Sequence, residues 1–331
     1  MERSIRTVVV PGAASPAGIN TIKALRMAGF KGRILATDSC HLAAGFFIAT
    51  SYEVMPRVND EKNYANRLFD LVSKHKVEVL MPSSGYDIYP YSKYRRQLEE
   101  MGAKAVVSDL ESLETCYDRV LTFRSLSEKF SCILPLTTTD PYEIKEFPIF
   151  AKPRREKGGH YAARIDDQND LNYFISKFKN ENKRGDIIFQ EYLPGTEYTI
   201  DVLCDLEKNP LIAVPRIRLE TTAGISTRGQ VMRNPEIEQT CMSIAEHIGI
   251  RGPCCIQMKE SSEGTMKVTE INPRMGGGTI FAALAGANFP DMILKMVEGK
   301  AVAIPKISEI TVVRYFEEII VQGRKQLMPR Q

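Results

Sequence analysis

The segment VTEINPRMGGG, residues 268–278, places a carboxylate, a carboxamide and a guanidinium within five positions. Because side chains alternate faces along a strand, Glu270 and Asn272 point to the same side. Gln257 lies on the other strand of a hairpin predicted from CCIQMKE and MKVTEIN, so three oxygen donors can converge. One carboxylate with neutral oxygens suits a Mg²⁺ ion that also binds phosphates. Arg274 adds a planar fork for a phosphoryl or carboxyl oxygen. Taken alone, the acid and amide also suit a surface glutamate beside a cap-forming asparagine.

Two further segments carry groups suited to phosphates and nucleotides. Lys152 in FAKP stands on an apolar strand, and KGGH follows at residues 157–160 with backbone N–H groups able to close over phosphates. Taken alone, Lys152 equally suits a side chain that extends to the surface. FQEYLPGTEYTI places Glu191 and Glu197 on either side of a Leu-Pro-Gly turn. Such a linker can bind an adenine edge through its backbone and a ribose diol through a carboxylate.

Hydrophobic periodicity predicts the elements that position these groups. Up to about residue 110, strands alternate with amphipathic helices, which indicates a parallel, Rossmann-like sheet. The first loop, PGAASPAG, lacks GxGxxG spacing, so we expect a turn and helix start lining a substrate cleft rather than a dinucleotide site. Residues 89–102 and 113–130 each read as one helix. From there on, hairpins and helices predict antiparallel sheets.

Composition excludes several classes of protein. The 331 residues carry 44 basic and 41 acidic side chains, a formal charge of +3 without a long basic stripe, so nucleic acid is not an expected partner. Seven cysteines without CxxC spacing predict reduced thiols and a cytoplasmic location. The N-terminal apolar run is too short for a signal peptide, and no stretch is long enough to span a bilayer. We therefore expect no membrane association.

These segments, in this order, resemble the ATP-grasp superfamily, and within it the branch of the carbamoyl-phosphate synthase large subunit. The resemblance runs through CYDR, FAKP with KGG, FQEYLPGTEYTIDV, CCIQM and VTEINPRMGGG, and continues into LAGANFPDMILKMVEG. It implies an α/β and α+β architecture, the ATP-grasp fold, with a Rossmann-like pre-ATP-grasp domain at residues 1–112. A small lid subdomain at 113–190, a C-terminal subdomain at 191–323 and a tail at 324–331 complete the expected division.

The resemblance also implies roles for individual residues. The groups expected on the ATP phosphates are Arg119, Lys152, Lys157, Gly158 and Gly159. The adenine hinge and the ribose contact are expected at Glu191, Tyr192, Leu193 and Glu197. The expected metal ligands are Gln257, which also contacts ATP, Glu270 and Asn272. Arg274 and Lys152 are the expected catalytic residues, because they neutralise charge on the transferred phosphate.

The implied activity is ADP-forming ligation, in which a carboxylate is activated as an acylphosphate and attacked by an amine. The expected cofactors are ATP and Mg²⁺, with Mn²⁺ as an alternative metal. The expected partners are a small carboxylate and a small amine, and the resemblance makes a homodimer one expected assembly. Two alternatives stay open: a carbamoyl-phosphate synthase-like enzyme that phosphorylates bicarbonate or carbamate, and a non-catalytic ATP-binding module.

Two features of this sequence leave finer points open. Many ATP-grasp enzymes have an acid where Gln257 stands, so the number of metal ions is undecided, and Asp201 or Glu191 is an alternative ligand. The segment RIRLETTAGISTRG carries arginines that could receive the carboxylate substrate or could be solvated residues of a sheet: Arg216, Arg218 and Arg228.

Overall fold

The computed structural model describes residues 5–155, 161–181 and 186–321, and within these ranges the strands form three sheets. The mixture of a parallel N-terminal sheet with antiparallel sheets confirms the predicted α/β and α+β fold class. Among the described residues, no helix combines the length and the apolar character needed to cross a bilayer.

The N-terminal sheet has five parallel strands in the order β3-β2-β1-β4-β5. The strands are β1 Thr7–Pro11, β2 Arg33–Asp38, β3 Ser51–Val54, β4 Val79–Leu80 and β5 Lys104–Ala105. The helices around it are α1 Pro16–Met27, α2 Gly45–Ile48, α3 Glu61–His75, α4 Ile88–Lys93 and α5 Arg95–Glu100. This is the predicted Rossmann-like sheet. Its strands are parallel, and parallel strands need crossover connections, which the helices supply here.

The first loop is a turn and helix start, as predicted. Gly12 has φ +68°, a conformation that glycine adopts without steric cost. Ser15 caps α1 by accepting a hydrogen bond from the amide of Gly18, and Pro16 occupies the first helical position. A Cβ on Gly18 would lie 2.2 Å from the carbonyl oxygen of Gly12. The small residue is therefore needed for the helix to begin this close to the strand end.

Both long helices predicted around residues 89–130 are broken in the structure. Residues 89–102 are divided between α4 and α5 at Tyr94. Residues 113–130 are divided between α6 Leu110–Tyr117 and α7 Arg119–Phe130. Asp118 causes the second break, because it has extended φ and ψ and its carboxylate accepts from the amides of Val120 and Leu121. Periodicity alone does not reveal such a break, since the apolar spacing continues across it.

A four-stranded antiparallel sheet in the order β6-β9-β7-β8 forms the central part of the chain. Its strands are β6 Thr137–Thr138, β7 Ile149–Pro153, β8 Ala163–Ile165 and β9 Ile187–Glu191, and α8 Gln168–Glu181 packs on it. Ile149 and Ala151 of β7 face a small core with Leu171 and Phe174 of α8. The alternate residues, Phe150 and Lys152, are therefore left on the opposite face.

The third sheet has six strands in the order β14-β13-β10-β11-β12-β15. They are β10 Glu197–Cys204, β11 Pro210–Thr222, β12 Ile225–Val231, β13 Pro253–Glu260, β14 Met266–Asn272 and β15 Ile310–Val313. The associated helices are α9 Pro235–Ile248, α10 Ile280–Leu284 and α11 Phe289–Val297. All the strand pairs are antiparallel, as the hairpin pattern predicts.

One hydrophobic core joins the N-terminal sheet to the six-stranded sheet. Val8 and Leu25 from the first belong to the same buried cluster as Val214, Phe281 and Phe289 from the second. On the other face of the six-stranded sheet, a separate core forms against α9. Alternating residues of single strands thus serve different cores, which explains the near-continuous apolar character of several strands.

Candidate functional site

A cavity of about 1180 Å³ is lined by residues of all three sheets. It lies at the carboxyl ends of the parallel strands β1, β2 and β4, where Gly12, Asp38 and Ser83 contribute to its wall. The six-stranded sheet contributes one face, because strand alternation sends the intervening residues into the core under α9. The residues expected to bind ATP, to ligate the metal or to take part in catalysis all line this cavity where they fall within the described ranges, whereas the alternative ligand Asp201 and the candidate Arg228 do not.

Lys152 is a buried cation at the cavity wall. Its side chain lies on the non-core face of β7, the residue is 8% exposed, and Nζ donates to the carbonyl of Thr269 at 3.0 Å. That carbonyl is available because the pairing of β13 with β14 shifts register between Gln257 and Met258 and leaves Thr269 unpaired. Burial, followed by the nearby Arg119 guanidinium, lowers the pKa of Lys152 to about 7 against weaker support from Glu270 and Glu197.

Arg119 is brought next to Lys152 by the cap of α7. Its Nη1 donates to the carbonyl of Pro153 at 2.9 Å, and Nη2 lies 3.4 Å from Oε1 of Glu270. Its Nε is buried and has no hydrogen-bond partner among the described residues. A buried donor without an acceptor is costly, so this side chain suits an additional anionic oxygen in the cavity.

The three predicted metal ligands come from two neighbouring strands. Gln257 of β13 pairs with Glu270 of β14, and Cys255 pairs with Asn272. Gln257, Glu270 and Asn272 all line the cavity. Within the described residues, no group of three His, Cys, Asp or Glu side chains could hold a metal ion. One carboxylate with two amides suits a hard cation that takes most of its other oxygens from a substrate and water.

Arg274 follows β14 and also lines the cavity. Its Nη1 donates to the carbonyl of Met275 at 2.9 Å, and Nη2 donates to Oδ1 of Asn272 at 3.2 Å. In the part of the chain that the structure describes, it has no carboxylate partner. These contacts fix the guanidinium while leaving its charge uncompensated.

The predicted hinge follows β9. The amide of Glu191 donates to the carbonyl of Leu136 at 2.9 Å, and its Oε1 accepts from the amide of Leu136 at 3.0 Å. Tyr192 lies beneath two cations, with the Arg164 guanidinium 4.5 Å and the Lys259 ammonium 5.5 Å from its ring centroid. Glu191, Tyr192 and Leu193 line the cavity, and their role as an adenine hinge stays a prediction.

Glu197 lines the cavity but already has a strong partner. Its carboxylate is ion-paired with Nη1 of Arg218, and Nη2 of Arg218 donates to the carbonyl of Gly224 at 2.7 Å. A ribose hydroxyl would therefore share this carboxylate with an arginine. The predicted ribose role of Glu197 is untested.

Three predicted ATP-binding residues, Lys157, Gly158 and Gly159, lie outside the described residues. The candidate carboxylate arginines are separated by the fold. Arg216 and Arg218 line the cavity, whereas Arg228 is exposed, forms an ion pair with Glu220 at 2.9 Å and is not part of the cavity wall.

Sequence reasoning missed Tyr64 on the N-terminal wall of the cavity. Tyr64 of α3 donates to Asp87, and both line the cavity with Ser84 and Asp38. Burial raises the pKa of Asp87, and the charge of Asp38 acts in the same direction against hydrogen bonds from Ser84 and Tyr64. The polar loop SSGYD is a sequence signal for Ser84 and Asp87. Tyr64 carries no such signal, because its position on α3 is that of an ordinary core aromatic residue.

Two sequence families match different parts of the chain. Residues 183–319 match the family described as "ATP-grasp in the biosynthetic pathway with Ter operon". Residues 18–106 match the family described as "PylC-like, N-terminal domain". The first match covers all six strands of the large sheet, and the second covers most of the parallel sheet.

Curated relatives include carbamoyl phosphate synthase large chains. The chain is 23% identical over 275 residues to that of Clostridium botulinum (strain Loch Maree / Type A3), which covers 78% of this chain and 25% of the relative. A second Clostridium botulinum relative (strain Alaska E43 / Type E3) is 29% identical over 140 residues, covering 39% of this chain and 13% of the relative. The chain thus aligns with about a quarter of the length of the Loch Maree relative.

Solved structures share the fold at low identity. The L-amino acid ligase from Bacillus licheniformis has a TM-score of 0.71 at 14% identity, covering 94% of this chain and 80% of that one. The biotin carboxylase domain of 2-oxoglutarate carboxylase from Hydrogenobacter thermophilus, solved with MgADP, ADP and bicarbonate, has a TM-score of 0.69 at 16% identity, covering 91% and 71%. N5-carboxyaminoimidazole ribonucleotide synthetase from Thermotoga maritima has a TM-score of 0.64 at 14% identity, covering 92% and 78%.

The family matches and the shared fold agree with the motifs that line the cavity. Residues 183–319 therefore form an ATP-grasp domain, and a PylC-like N-terminal domain precedes it at residues 18–106, on a fold that the chain shares with the L-amino acid ligase.

Proposed function

We propose that this protein is an ATP-dependent, ADP-forming ligase that activates a small carboxylate as an acylphosphate for attack by an amine. The observation that carries the proposal is the convergence of separate elements on one cavity. Lys152 from β7, Arg119 from α7, Glu270 from β14 and Arg274 beyond it line the same space. The cations outnumber the carboxylate, so an anion of high charge such as a triphosphate suits the site.

The nucleotide would lie between the four-stranded and six-stranded sheets. Its adenine would contact the backbone of Glu191, Tyr192 and Leu193, and its ribose would share Glu197 with Arg218. Lys152, and Arg119 through its unpaired Nε, would receive phosphate oxygens. Lys157, Gly158 and Gly159 are proposed to complete the phosphate contacts.

Gln257, Glu270 and Asn272 would hold Mg²⁺, which would neutralise phosphate charge during transfer. Their single carboxylate supports binding of the metal together with nucleotide rather than before it. Mn²⁺ accepts the same ligand set and is an alternative metal.

The chemistry requires positioning and charge neutralisation, with no covalent intermediate on the protein. A carboxylate oxygen of the substrate forms a bond to the γ-phosphorus, and the bond between that phosphorus and the bridging oxygen breaks, which releases ADP. The nitrogen of a neutral amine then bonds to the acyl carbon. The bond from that carbon to the phosphate oxygen breaks, inorganic phosphate leaves and the nitrogen loses a proton. Arg274 would stabilise the charge on the phosphate oxygens in both steps.

Two experiments test the proposal. Thermal stability should rise with MgADP and MgATP and stay unchanged with NAD or NADP, because the first loop lacks the GxGxxG spacing of a dinucleotide site. ADP release should then depend on a carboxylate in a panel of amino acids and small organic acids. Nucleotide binding without ADP release under any condition would instead support a non-catalytic ATP-binding module.

A second candidate is phosphorylation of bicarbonate or carbamate. It is favoured by the relatives named carbamoyl phosphate synthase large chain. Because the chain aligns with about a quarter of their length, their full activity does not transfer directly. ADP release that depends on bicarbonate, in the absence of any organic acid, would identify this reaction.

The finer organisation is part of the same proposal. We place the domain boundaries near residues 112 and 190, with a tail beyond 323 that lies outside the described residues. A cytoplasmic location and a homodimer are proposed from the thiol usage and from the resemblance. Sedimentation of the purified protein tests the homodimer.

A further inference from the structure

Three arginines surround the glycine loop at residues 276–278, and one buried acid accompanies them. Arg216 and Arg274 line the cavity on either side of the loop, and Arg314 donates to the carbonyl of Gly277 from behind it. The acid is Asp201, which is fully buried. Among the described residues, this group therefore carries more positive than negative charge, and buried charge of this kind is costly without a counter-ion.

Arg216 is the most deeply buried of the three. It is 3% exposed, its Nε donates to Oδ2 of Asp201 at 3.0 Å, and its Nη1 donates to Oγ of Ser226 at 3.0 Å. Its Nη2 has no hydrogen-bond partner in the described part of the chain. A Cβ on Gly278 would lie 2.3 Å from the Cζ of Arg216, so a glycine is required for the guanidinium to lie against the loop.

Asp201 does not neutralise Arg216 alone. Its other oxygen, Oδ1, accepts from the hydroxyl of Thr279 at 2.7 Å and from the thiol of Cys255 at 3.0 Å. Thr279 in turn accepts from the amide of Gly276 at 2.8 Å. The carboxylate thus anchors the loop as well as the arginine.

The loop itself offers two further donors. The amides of Gly277 and Gly278 donate to no acceptor among the described residues, and both glycines line the cavity. Asn20 donates to the carbonyl of Gly277 at 2.7 Å, and the amide of Met275 donates to Pro82 at 2.9 Å. These two contacts tie the loop to the N-terminal domain and fix it in place.

We infer that Arg216, held by Asp201 and Ser226, binds the carboxylate of the substrate that is activated, next to Arg274. This inference rests on the proposed ligase function and deepens it. In this assignment each arginine binds a different anion. Arg274 contacts the transferred phosphate, and Arg216 contacts the carboxylate that attacks it. Arg216 is thus a specificity-determining residue for a substrate with an anionic oxygen pair.

The test measures carboxylate activation without knowledge of the amine. Hydroxylamine converts an acylphosphate to a hydroxamate, which is measured with MgATP and a panel of L- and D-amino acids and small organic acids. Amino acids are included because Asp38 and Asp87 on the N-terminal wall suit an ammonium group. ADP release with bicarbonate is the second arm, since bicarbonate would use the same site.

Arg216→Ala should raise the KM for the active acid by about 10- to 100-fold, the expected effect of losing a charged hydrogen-bond donor. The KM for MgATP should change by less than about threefold, and guanidinium ions should partly restore the activity. Arg228→Ala is the matched control, because Arg228 is exposed, lies on the adjoining strand and does not line the cavity. It should behave as the wild type.

A second variant is needed because Arg216→Ala removes the ion-pair partner of the buried Asp201 and could disturb the fold there. Ser226→Ala keeps both charges and removes one support of the guanidinium, so it should raise the KM for the acid by about three- to tenfold without lowering the thermal stability below that of Arg228→Ala. An unchanged KM for the acid in both site variants would overturn the role of Arg216 while leaving the ligase intact. A wild type that makes neither hydroxamate nor bicarbonate-dependent ADP would overturn the proposed function itself.

Discussion

At the scale of single residues, the cavity holds basic side chains that lack acidic partners or hydrogen-bond acceptors within the described ranges. Lys152 has a pKa of about 7 because burial and the neighbouring Arg119 disfavour its charged form. Arg119 keeps an unpaired buried Nε, and Arg274 has no carboxylate partner among the described residues. All three groups would be stabilised by the triphosphate of the proposed nucleotide.

Nucleotide binding should weaken as the pH rises above about 7. Phosphates favour the charged form of Lys152 and raise its pKa, so binding takes up a proton. Affinity then falls by up to about tenfold per pH unit until the pKa of the complex is reached. Titration calorimetry with MgADP between pH 6.5 and 9, in buffers of different ionisation enthalpy, measures both the affinity and the proton uptake.

Lys152→Met should weaken MgADP binding and abolish this slope, whereas Lys177→Met, an exposed lysine on α8, should retain it. A slope that persists in Lys152→Met would assign the titration to another group.

In the nucleotide-free protein, Lys152 also makes the free energy of unfolding depend on pH. The unfolded chain binds more protons than the folded one between pH 7 and 10.5, so the contribution of Lys152 to stability rises with pH in that window.

Arg274→Ala should separate catalysis from binding. Turnover should fall by at least about 100-fold, as when one transition-state donor is removed, while the Kd for MgADP should change by less than about threefold. Steady-state ADP release measures the turnover, and calorimetry on the same preparation measures the Kd for MgADP. Turnover at the level of Arg228→Ala would contradict the assignment.

At the scale of elements, Asp118 is the junction that places Arg119 in the site. It ends α6, caps α7 and forms ion pairs with Arg154 and Arg155 at 2.8 Å. Although its burial opposes ionisation, the hydrogen bonds from these arginines hold the pKa of Asp118 at about 2. The break between the two helices is therefore stabilised by charge and capping together.

Asp118→Ala should lower the free energy of unfolding by about 2–4 kcal/mol, because it removes a cap and the carboxylate that pairs with Arg154 and Arg155, although Arg154 keeps its ion pair with Asp186. It should also weaken nucleotide binding through displacement of Arg119. Asp140→Ala, at an exposed cap of a single 3-10 turn, should cost less than about 1 kcal/mol. Urea unfolding at neutral pH compares the two.

The pH dependence supplies an independent check on Asp118. Its folded pKa lies below the ordinary value of 3.8, so its stabilisation is present above pH 3.8 and is lost as the pH falls toward 2. The difference in unfolding free energy between the wild type and Asp118→Ala should shrink in that range. A difference that is independent of pH would indicate that packing, not charge, is the cause.

At the scale of the whole molecule, the N-terminal sheet and the six-stranded sheet share one core, whereas the four-stranded sheet has its own. Leu25 of α1 is fully buried in the same cluster as Phe289 of α11. The four-stranded sheet instead closes a small core with α8. We therefore expect the first two sheets to unfold together and the third to open separately.

Leu25→Ala should destabilise both of the joined sheets by about 2–5 kcal/mol, the cost of a large cavity in a core. Met27→Ala on the same helix is the control, because Met27 is 49% exposed, and should change stability by less than about 0.5 kcal/mol. In Leu25→Ala, the opening free energies obtained from amide hydrogen exchange should fall by the same amount in β1 and in β11. Acceleration of β1 alone would show that the two sheets unfold independently.

The amino-acid sequence by itself determined the parts that depend on local chemistry. Alternation along β7, β10, β13 and β14 fixes which side chains share a face, and Lys152, Gln257, Glu270 and Asn272 line one cavity, while their roles stay predictions. Strand and helix periodicity gave the parallel sheet followed by antiparallel ones. It failed at Asp118 and Tyr94, where a cap or a tight turn breaks a helix without breaking its apolar spacing.

Only the tertiary structure decided which distant groups meet and what their surroundings do to them. Arg119 and Glu270 are 151 positions apart and come within 3.4 Å. The same packing buries Lys152, brings Arg216 against Gly278 and leaves Arg228 outside the cavity. Periodicity reports the face of an element and not its neighbours, and burial, charge pairing and pKa are properties of neighbours.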